Sequence, residues 1–318
     1  MNQTAMVDAF PLPVVPEDWE EVLRCPICSG TASGFKRFAQ VPTELANLAY
    51  KICERCGFVL QTPRLRESWL RRFYEGSYHV HMHGQHEPSG KTEWVETRRA
   101  IQHATFVRHH LSSIRKHLDI GSSTGKLMDV MAYQYGSESY GIEPASAFRQ
   151  RSRQAGHQVV ARLAELDDRH KNSYDLVSLS HVLEHLPEPT ETLRRIREEW
   201  LVDGGHLLVE VPNLFGHLSF EISHLAAYTR DTLSRILSAA GFAVVDLHAH
   251  GVPYSRHLPF FIQALASAET KPTQRSYPAA SLRAIRFRRW MGMMTLRLVW
   301  WGTSQLLSRD QLEPWGQA

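Results

Sequence analysis

The sequence predicts an α/β fold, with helices on both faces of a parallel sheet, preceded by a small cysteine-bearing module. Three observations lead to this prediction. Short apolar runs alternate with segments of helical periodicity from residue 116 onward. A turn bounded by glycines, Gly121-Ser-Ser-Thr-Gly125, joins the first apolar run to a helical segment. All four cysteines stand in two C-x-x-C pairs ahead of the alternating region.

Composition and charge narrow the class of protein. A chain of 318 residues has room for one domain of medium size and a smaller module. The 36 basic and 33 acidic side chains give a net charge of +3. No basic block is interleaved with aromatic residues along the α/β half, so a nucleic-acid partner is not expected. The N-terminus lacks the pattern of a signal peptide, and no run of about 18 uncharged apolar residues occurs, so a cytoplasmic protein is expected.

The cysteines suit a structural metal site. Cys25 and Cys28 form the first pair, and Cys53 and Cys56 form the second. Each pair can form a knuckle that points two thiolates at one metal, and four thiolates close a tetrahedral zinc site without an open position. Two disulfides or a redox pair are the alternatives. Disulfides fit poorly with a chain that lacks a secretory signal, and a redox pair needs no second pair. We therefore predict a structural Zn²⁺ within residues 25–62.

The stretch Lys116–Leu127 has the pattern of a nucleotide-binding βα unit. An apolar run containing Asp119 leads into the glycine turn and then into a helix, so backbone N–H groups would face a ligand. Alone, such a turn is equally compatible with an ordinary tight turn. A second strand ends in Glu143, whose carboxylate could accept both hydroxyls of a ribose. A third run, Tyr174–Ser180, is apolar enough for a buried parallel strand and leads into His181-Val-Leu-Glu-His-Leu-Pro.

In this order, these segments resemble the class I S-adenosylmethionine-dependent methyltransferases, in particular the group whose fourth strand is followed by an L-E-H-L-P segment. The resemblance covers residues 106–268. It implies a Rossmann-like sheet of seven strands with the last one antiparallel, and a cofactor, S-adenosylmethionine, held at the strand ends. The implied cofactor-binding residues are Asp119, Gly121, Ser122, Gly125, Glu143, Pro144, Leu163, Ser180 and His181.

Two positions depart from the pattern of that family. Ser123 stands where a glycine usually allows close approach, and Arg162 stands where an acid often receives the adenine amino group. These departures leave a non-catalytic cofactor-binding scaffold as an alternative of a different class.

The segment after Tyr174–Ser180, which is the fourth strand of the sheet that the resemblance implies, carries a second pattern. His181, Glu184 and His185 have the H-x-x-E-H spacing of an inverted zinc-protease motif, but that chemistry needs a long helix, whereas here the motif leaves a buried strand. Quinone-pathway O-methyltransferases resemble this stretch, which implies a divalent ion at these three residues as the less favoured alternative. The favoured interpretation has His181 beside the methyl donor and substrate, and Glu184 and His185 in structural roles.

Three residues are predicted to be catalytic. His224 lies in the insertion Phe215–Tyr228, which follows the fifth strand (residues 206–213). This insertion must pass over the cleft, and the imidazole of His224 could take a proton from the acceptor. Glu221, three residues earlier, could orient the ring. His181 is the competing base, and Tyr78 is a predicted lid residue. The alternatives are an ordinary loop histidine for His224 and aromatic packing for Tyr78. The histidine-rich stretch 79–86 is expected to be a flexible loop.

The predicted organisation is a leader (1–24), the four-cysteine module (25–62), a helical linker and lid (63–105), the methyltransferase domain (106–268) and a tail (269–318). A four-cysteine module ahead of this domain resembles the zinc-containing sugar C-methyltransferases. That resemblance implies a small-molecule acceptor, a sugar or glycan intermediate. A quinone or lipid O-methyltransferase is the alternative. The tail mixes arginines with tryptophans and methionines, and it either docks on the protein, which is favoured, or makes peripheral contact with an anionic membrane.

Overall fold

The computed structural model describes residues 12–43, 46–84, 87–217, 220–268 and 280–304. These residues form a sheet of seven strands, a smaller sheet of four strands that includes Cys53, and a ladder of two short strands. The strands are β1 (Trp19–Glu20), β2 (Phe35–Pro42), β3 (Asn47–Cys53), β4 (Val59–Gln61), β5 (Arg64–Leu65), β6 (Lys116–Ile120), β7 (Glu138–Ile142), β8 (Gln158–Val160), β9 (Tyr174–Ser180), β10 (Leu201–Pro212), β11 (Ala226–Ala227), β12 (Phe242–His250) and β13 (Phe261–Ala268).

Helices lie between these strands in the sequence, and one helix follows the last strand. In order along the sequence they are α1 (Glu67–Gly76), α2 (Tyr78–His83), α3 (Gly90–Arg108), α4 (Lys126–Tyr135), α5 (Ser146–Gln154), α6 (Pro189–Arg195), α7 (Arg230–Ala239) and α8 (Leu282–Ser304). Within the part of the chain that the structure describes, none of them is both long and apolar enough to cross a bilayer.

The large sheet confirms the predicted Rossmann-like α/β architecture. Its seven strands lie in the order β12-β13-β10-β9-β6-β7-β8. Strands β8, β7, β6, β9 and β10 run parallel, and β13 is antiparallel to both β10 and β12. Three of these strands lie where the sequence analysis predicts them: β6 ahead of the glycine turn, β7 just before Glu143 and β9 over Tyr174–Ser180.

The sheet changes direction of winding between β6 and β9. From β6 the chain goes outward to β7 and β8, and then returns to β9 on the other side of β6. Loops after the carboxyl ends of β6 and β9 therefore diverge and leave a crevice between them, which is where ligands bind in sheets of this kind. Strand β9 is buried along nearly its whole length, which explains its almost continuous apolar sequence.

The small sheet is shared between the cysteine module and the α/β domain. It has the order β11-β4-β3-β2, and β11 comes from the insertion after the fifth strand of the large sheet. Ala226 pairs with Leu60, and Ala227 pairs with Val59. Sequence periodicity predicts only an irregular insertion here, because a two-residue strand is too short to give a pattern. The module is thus joined to the α/β domain by strand pairing as well as by the chain.

One local expectation is wrong, and one segment has more structure than the sequence indicates. The stretch after Ser77 is helical over Tyr78–His83 and ends at Gly84, which has φ of +67°, so it is not a flexible loop up to that glycine; residues 85 and 86 lie outside the described part of the chain. The second half of the leader is also structured, since Trp19 pairs with Leu65 in a short antiparallel ladder. The first eleven residues lie outside the described part.

Helix α8 docks on the protein through one face. The partly buried residues of that face include Ile285, Arg289 and Gly292. The guanidinium of Arg289 donates to the carbonyl oxygens of Leu214 and of His217, the latter at 3.2 Å. A Cβ at Gly292 would collide with the backbone of the segment after β10, so helix and segment are in backbone contact.

Candidate active site

The glycine turn after β6 has the backbone geometry expected of a cofactor cradle. Gly121 and Gly125 have φ of +78° and +87°, values that side chains disfavour. A Cβ at Gly121 would lie 2.4 Å from Cγ2 of Val182, and one at Gly125 would lie 2.6 Å from the ring of His157. Both positions therefore require glycine, because Val182 and His157 pack where a side chain would stand.

Ser123 shows how the turn accommodates a residue other than glycine. It adopts a left-handed conformation with φ of 47°. Its N–H donates to Oε2 of Glu143 at 2.9 Å, and its hydroxyl donates to Oε1 of Glu96 at 2.6 Å. The serine side chain is therefore held against α3. The departure from the family pattern leaves the turn intact.

Two buried carboxyls stand at the predicted strand ends. Ser178 donates to Oδ1 of Asp119 at 2.6 Å, and burial raises the pKa of Asp119 to about 7. Glu143 accepts the N–H of Ser123 on one oxygen and the N–H of Ala145 on the other, at 2.9 and 2.8 Å. Burial raises the pKa of Glu143 to about 7, although the two backbone donors act in the opposite direction.

Helix α3 contributes residues to the site that the sequence analysis does not single out. Glu96, Arg99 and His103 line the crevice. Glu96 accepts the hydroxyls of Ser123 and Thr124, and burial raises its pKa. The spacing i, i+3, i+7 on one helix face is the sequence signal that could have found them.

These elements enclose a single large cavity of about 1220 Å³. A volume of this size has room for a nucleoside cofactor and a second small molecule. It brings together most of the predicted cofactor-binding residues, and Tyr78 from the lid. The predicted residues on its wall are Asp119, Gly121, Ser122, Glu143, Pro144, Leu163, Ser180, His181 and Tyr78. Gly125 and His224 do not line it.

His181 lies between two carboxylates. Its Nε2 is 3.0 Å from Oε1 of Glu210, and its Nδ1 is 3.3 Å from Oε1 of Glu184. Burial and the charge of Arg99 act to lower the pKa of His181, but the two carboxylates outweigh them, so its pKa is raised. The two carboxylates therefore favour the imidazolium form of the ring, and that form has no lone pair with which to take a proton.

His185 has the opposite character. Its Nδ1 is 2.9 Å from the carbonyl oxygen of Ser223, which can only accept, so Nδ1 carries the proton and Nε2 has a free lone pair. Burial lowers the pKa of His185, which keeps the ring neutral. The rings of Tyr74 and Tyr78 pack against it, with centroids 5.6 and 5.8 Å away. His185 lines the cavity, whereas the sequence interpretation gives it only a structural role.

His224 lies next to His185, away from the cavity wall. Their ring centroids are 4.8 Å apart. The Nε2 of His224 is 3.1 Å from Oε1 of Glu221, the pairing that the three-residue spacing predicts. The buried Tyr50 of the cysteine module lies with its hydroxyl 2.6 Å from the carbonyl oxygen of His224 and 2.8 Å from that of Glu221. The module thus supports the backbone that presents this histidine.

Two groups of side chains have the arrangement of metal ligands. The four sulfurs of Cys25, Cys28, Cys53 and Cys56 lie within 4.8 Å of one another, with two pairs at 3.5 Å. Zinc–sulfur bonds of about 2.3 Å in a tetrahedron place sulfurs about 3.8 Å apart, so the cluster fits zinc. The cysteines are not bonded to one another.

The second group consists of Glu184, His185 and His224, whose ligand atoms also lie within 4.8 Å of one another. Both carboxylate oxygens of Glu184 are buried without an aligned hydrogen-bond donor. His181, which the quinone-pathway resemblance would include, also contacts Glu210.

The turn after β6, the two carboxyls at neighbouring strand ends and the cavity between β6 and β9 define a class of protein: an α/β enzyme that binds a nucleoside cofactor at the switch in strand order. Comparison with known proteins narrows the class. The family described as "Methyltransferase domain" matches residues 95–247. Residues 95–247, just under half of the chain, therefore form a methyltransferase domain. No curated protein matches its sequence.

A solved structure with a TM-score above 0.5 shares the fold. The 1,6-didemethyltoxoflavin-N1-methyltransferase of Burkholderia thailandensis, with bound 1,6-didemethyltoxoflavin and S-adenosylhomocysteine, is 19% identical. The match covers 72% of this chain and 99% of that one, with a TM-score of 0.51. A complex of the Haloferax volcanii Trm112 methyltransferase activator with a methyltransferase is 13% identical. That match covers 57% of this chain and 94% of the other, with a TM-score of 0.46. An S-adenosylmethionine-dependent methyltransferase from Archaeoglobus fulgidus is 18% identical. That match covers 56% of this chain and 100% of the other, with a TM-score of 0.44.

Proposed function

We propose that this methyltransferase acts on a sugar or glycan intermediate. The observation that supports this acceptor class is the polar wall of the cavity beside the lid. Neutral His185 and two tyrosines stand there, together with charged side chains such as Glu67 and Arg71, whereas apolar side chains line other parts of the cavity. A ligand with several hydroxyls would satisfy such a wall better than an apolar ring would.

The residues that would hold S-adenosylmethionine are those of the turn and the strand ends. Glu143 has a lone pair left on each oxygen for the two ribose hydroxyls, and Gly121 and Ser122, which line the cavity, would hold the methionine end. The cofactor supplies an electrophilic methyl group. The task of the chain is to hold the acceptor in line with that methyl group and to take its proton.

We assign to His185 the role of the base that takes the proton from the acceptor. Its tautomer is fixed by Ser223, and Nε2 lies 4.0 Å from Oε1 of Glu184, whose negative charge would stabilise the imidazolium once the proton has moved. His224, predicted as the base, is then a positioning residue that packs against the ring of His185. His181 would act as a fixed positive charge, and Tyr78 as the lid that excludes water. A divalent ion on Glu184, His185 and His224 is the competing role for this cluster.

We also propose that Cys25, Cys28, Cys53 and Cys56 hold a structural Zn²⁺. The sulfur distances and the absence of disulfides among these four cysteines support this assignment. A zinc ion bound by four thiolates has no open position, so its contribution would be to the folding of the module and not to the methyl transfer.

A quinone or lipid acceptor is the second candidate. The observation that favours it is the apolar outward face of α8, because an acceptor of that kind resides in a membrane. Assays with S-adenosylmethionine labelled in its methyl group separate the two. Transfer of label to nucleotide sugars or soluble glycans supports the first proposal. Transfer only to lipid extracts contradicts it and supports the second.

A further inference from the structure

Helix α8 has two apolar faces, and only one of them is covered. The partly buried face contains Leu282, Ile285, Gly292, Met293 and Leu296, together with the docked Arg289. On the opposite face, five large apolar side chains are exposed by 36–63%: Phe287, Trp290, Met291, Met294 and Leu298. They stand at positions i, i+3, i+4, i+7 and i+11, so they form one continuous stripe along the helix.

The stripe is fixed in its orientation. Arg288 and Arg289 lie over the rings of Phe215 and Phe220 at 4.8 and 4.4 Å, and the backbone contact at Gly292 prevents the helix from rolling inward. The exposed stripe therefore cannot be buried against the same protein surface without undoing these contacts. An apolar face of this size that is held outward indicates a binding surface.

The charges around the stripe indicate what covers it. Exposed arginines flank it, with Arg283 and Arg297 towards one edge and Arg288 on the other. The sequence has no acidic residue between Glu269 and Asp310. A second copy of the same helix would bring like charges together, whereas anionic headgroups would pair with the arginines while the tryptophan and methionines enter the apolar boundary. Arginines on both sides of the stripe are also incompatible with a helix that crosses the bilayer.

We propose that α8 binds the protein to an anionic membrane surface, lying in the plane of the interface with its docked face towards the protein and its outward stripe in the lipid. This inference concerns attachment and does not depend on which acceptor is methylated. The side chains that enter the lipid are those of the outward stripe: Phe287, Trp290, Met291, Met294 and Leu298.

Vesicle flotation of the full chain tests the proposal. One set of vesicles contains phosphatidylcholine alone, and the other contains phosphatidylcholine with phosphatidylglycerol. The protein should float with the second set and not with the first, and high salt should weaken its binding. The double variant Trp290→Ser/Leu298→Ser should lose binding by roughly tenfold or more, because two large side chains no longer enter the lipid.

Tyr133→Ser provides the matched control, since Tyr133 is 94% exposed on α4, away from α8 in sequence. It should float as the wild type does. Thermal melting and S-adenosylmethionine binding confirm that both variants are folded. The proposal is overturned if the wild type does not prefer anionic vesicles, if Tyr133→Ser loses binding equally, or if sedimentation shows a dimer that Trp290→Ser/Leu298→Ser dissociates.

Discussion

Replacing Glu143 by alanine should weaken S-adenosylmethionine binding without unfolding the protein. The carboxylate is 5% exposed, and each of its oxygens accepts one backbone N–H, from Ser123 and from Ala145. One further lone pair on each oxygen is available to a ribose hydroxyl. The variant leaves two ligand hydroxyls and two backbone donors to be satisfied by water alone.

The size of the effect follows from these four donors. A hydrogen bond to a charged acceptor contributes about 1.5–3 kcal/mol net, and water entering the emptied space recovers part of that. We expect a loss of about 1–3 kcal/mol in binding free energy, which corresponds to a rise in Kd of roughly 5- to 150-fold.

Calorimetric titration with S-adenosylmethionine measures this change. Glu138→Ala is the control, because Glu138 lies on the same strand β7 but is exposed at its other end. Its Kd should equal that of the wild type. If Glu143→Ala, shown by thermal melting to be folded, bound the cofactor as tightly as Glu138→Ala, then Glu143 would not contact the ribose, and the cofactor orientation proposed for the cavity would be wrong.

Three further predictions concern the metal, the proton and pH. The purified protein should contain one zinc per chain, and Cys28→Ser should lose it and melt at a lower temperature. His185→Ala should lower turnover by about 10²–10⁴-fold with the Kd for S-adenosylmethionine unchanged, while His224→Ala should cost about tenfold. Because burial raises the pKa values of Glu143 and Asp119 to about 7, the folded chain holds protons that the unfolded chain releases between about pH 4 and 7. Their contribution to stability should fall as pH rises through this window, whereas cofactor affinity should rise, since the ribose needs the carboxylate.

Each of these predictions has a distinct contradicting result. If Cys28→Ser still contained one zinc per chain, the metal would not be held by the four cysteines. A second metal equivalent that disappears in His185→Ala would assign Glu184, His185 and His224 to an ion instead of to proton transfer. A larger loss of turnover in His224→Ala than in His185→Ala would return the role of base to His224. Cofactor affinity that falls between pH 6 and 8 would contradict the raised pKa of Glu143.

The sequence predicts the parts of the site that depend on local backbone grammar. The glycine turn, Asp119 and Glu143 are found because strand ends and positive φ leave a pattern within a few residues. The roles of α3 and His185 depend on contacts between distant segments. Whether Glu96 faces solvent or the turn is decided by how α3 packs, and the tautomer of His185 is decided by a carbonyl oxygen 38 positions away in the sequence. Such information is absent from any local window.

The outward stripe of α8 illustrates the same limit. Its composition is evident in the sequence, but both faces of the helix are apolar, so periodicity alone cannot say which face the protein covers. The position of Gly292 against the chain after β10 decides it.

The strand shared between the cysteine module and the catalytic half has a consequence for the order in which the molecule is made. Tyr50 and the carbonyl of His224 that it contacts are 174 positions apart. During synthesis the cysteines leave the ribosome early and can bind metal, yet strand β4 has an open edge until β11 arrives, after most of the large sheet has been translated. The module therefore matures in two stages, and its final shape is set by the catalytic half. A module exchanged from another enzyme would have to offer β11 a matching edge, since metal binding alone would not seat it.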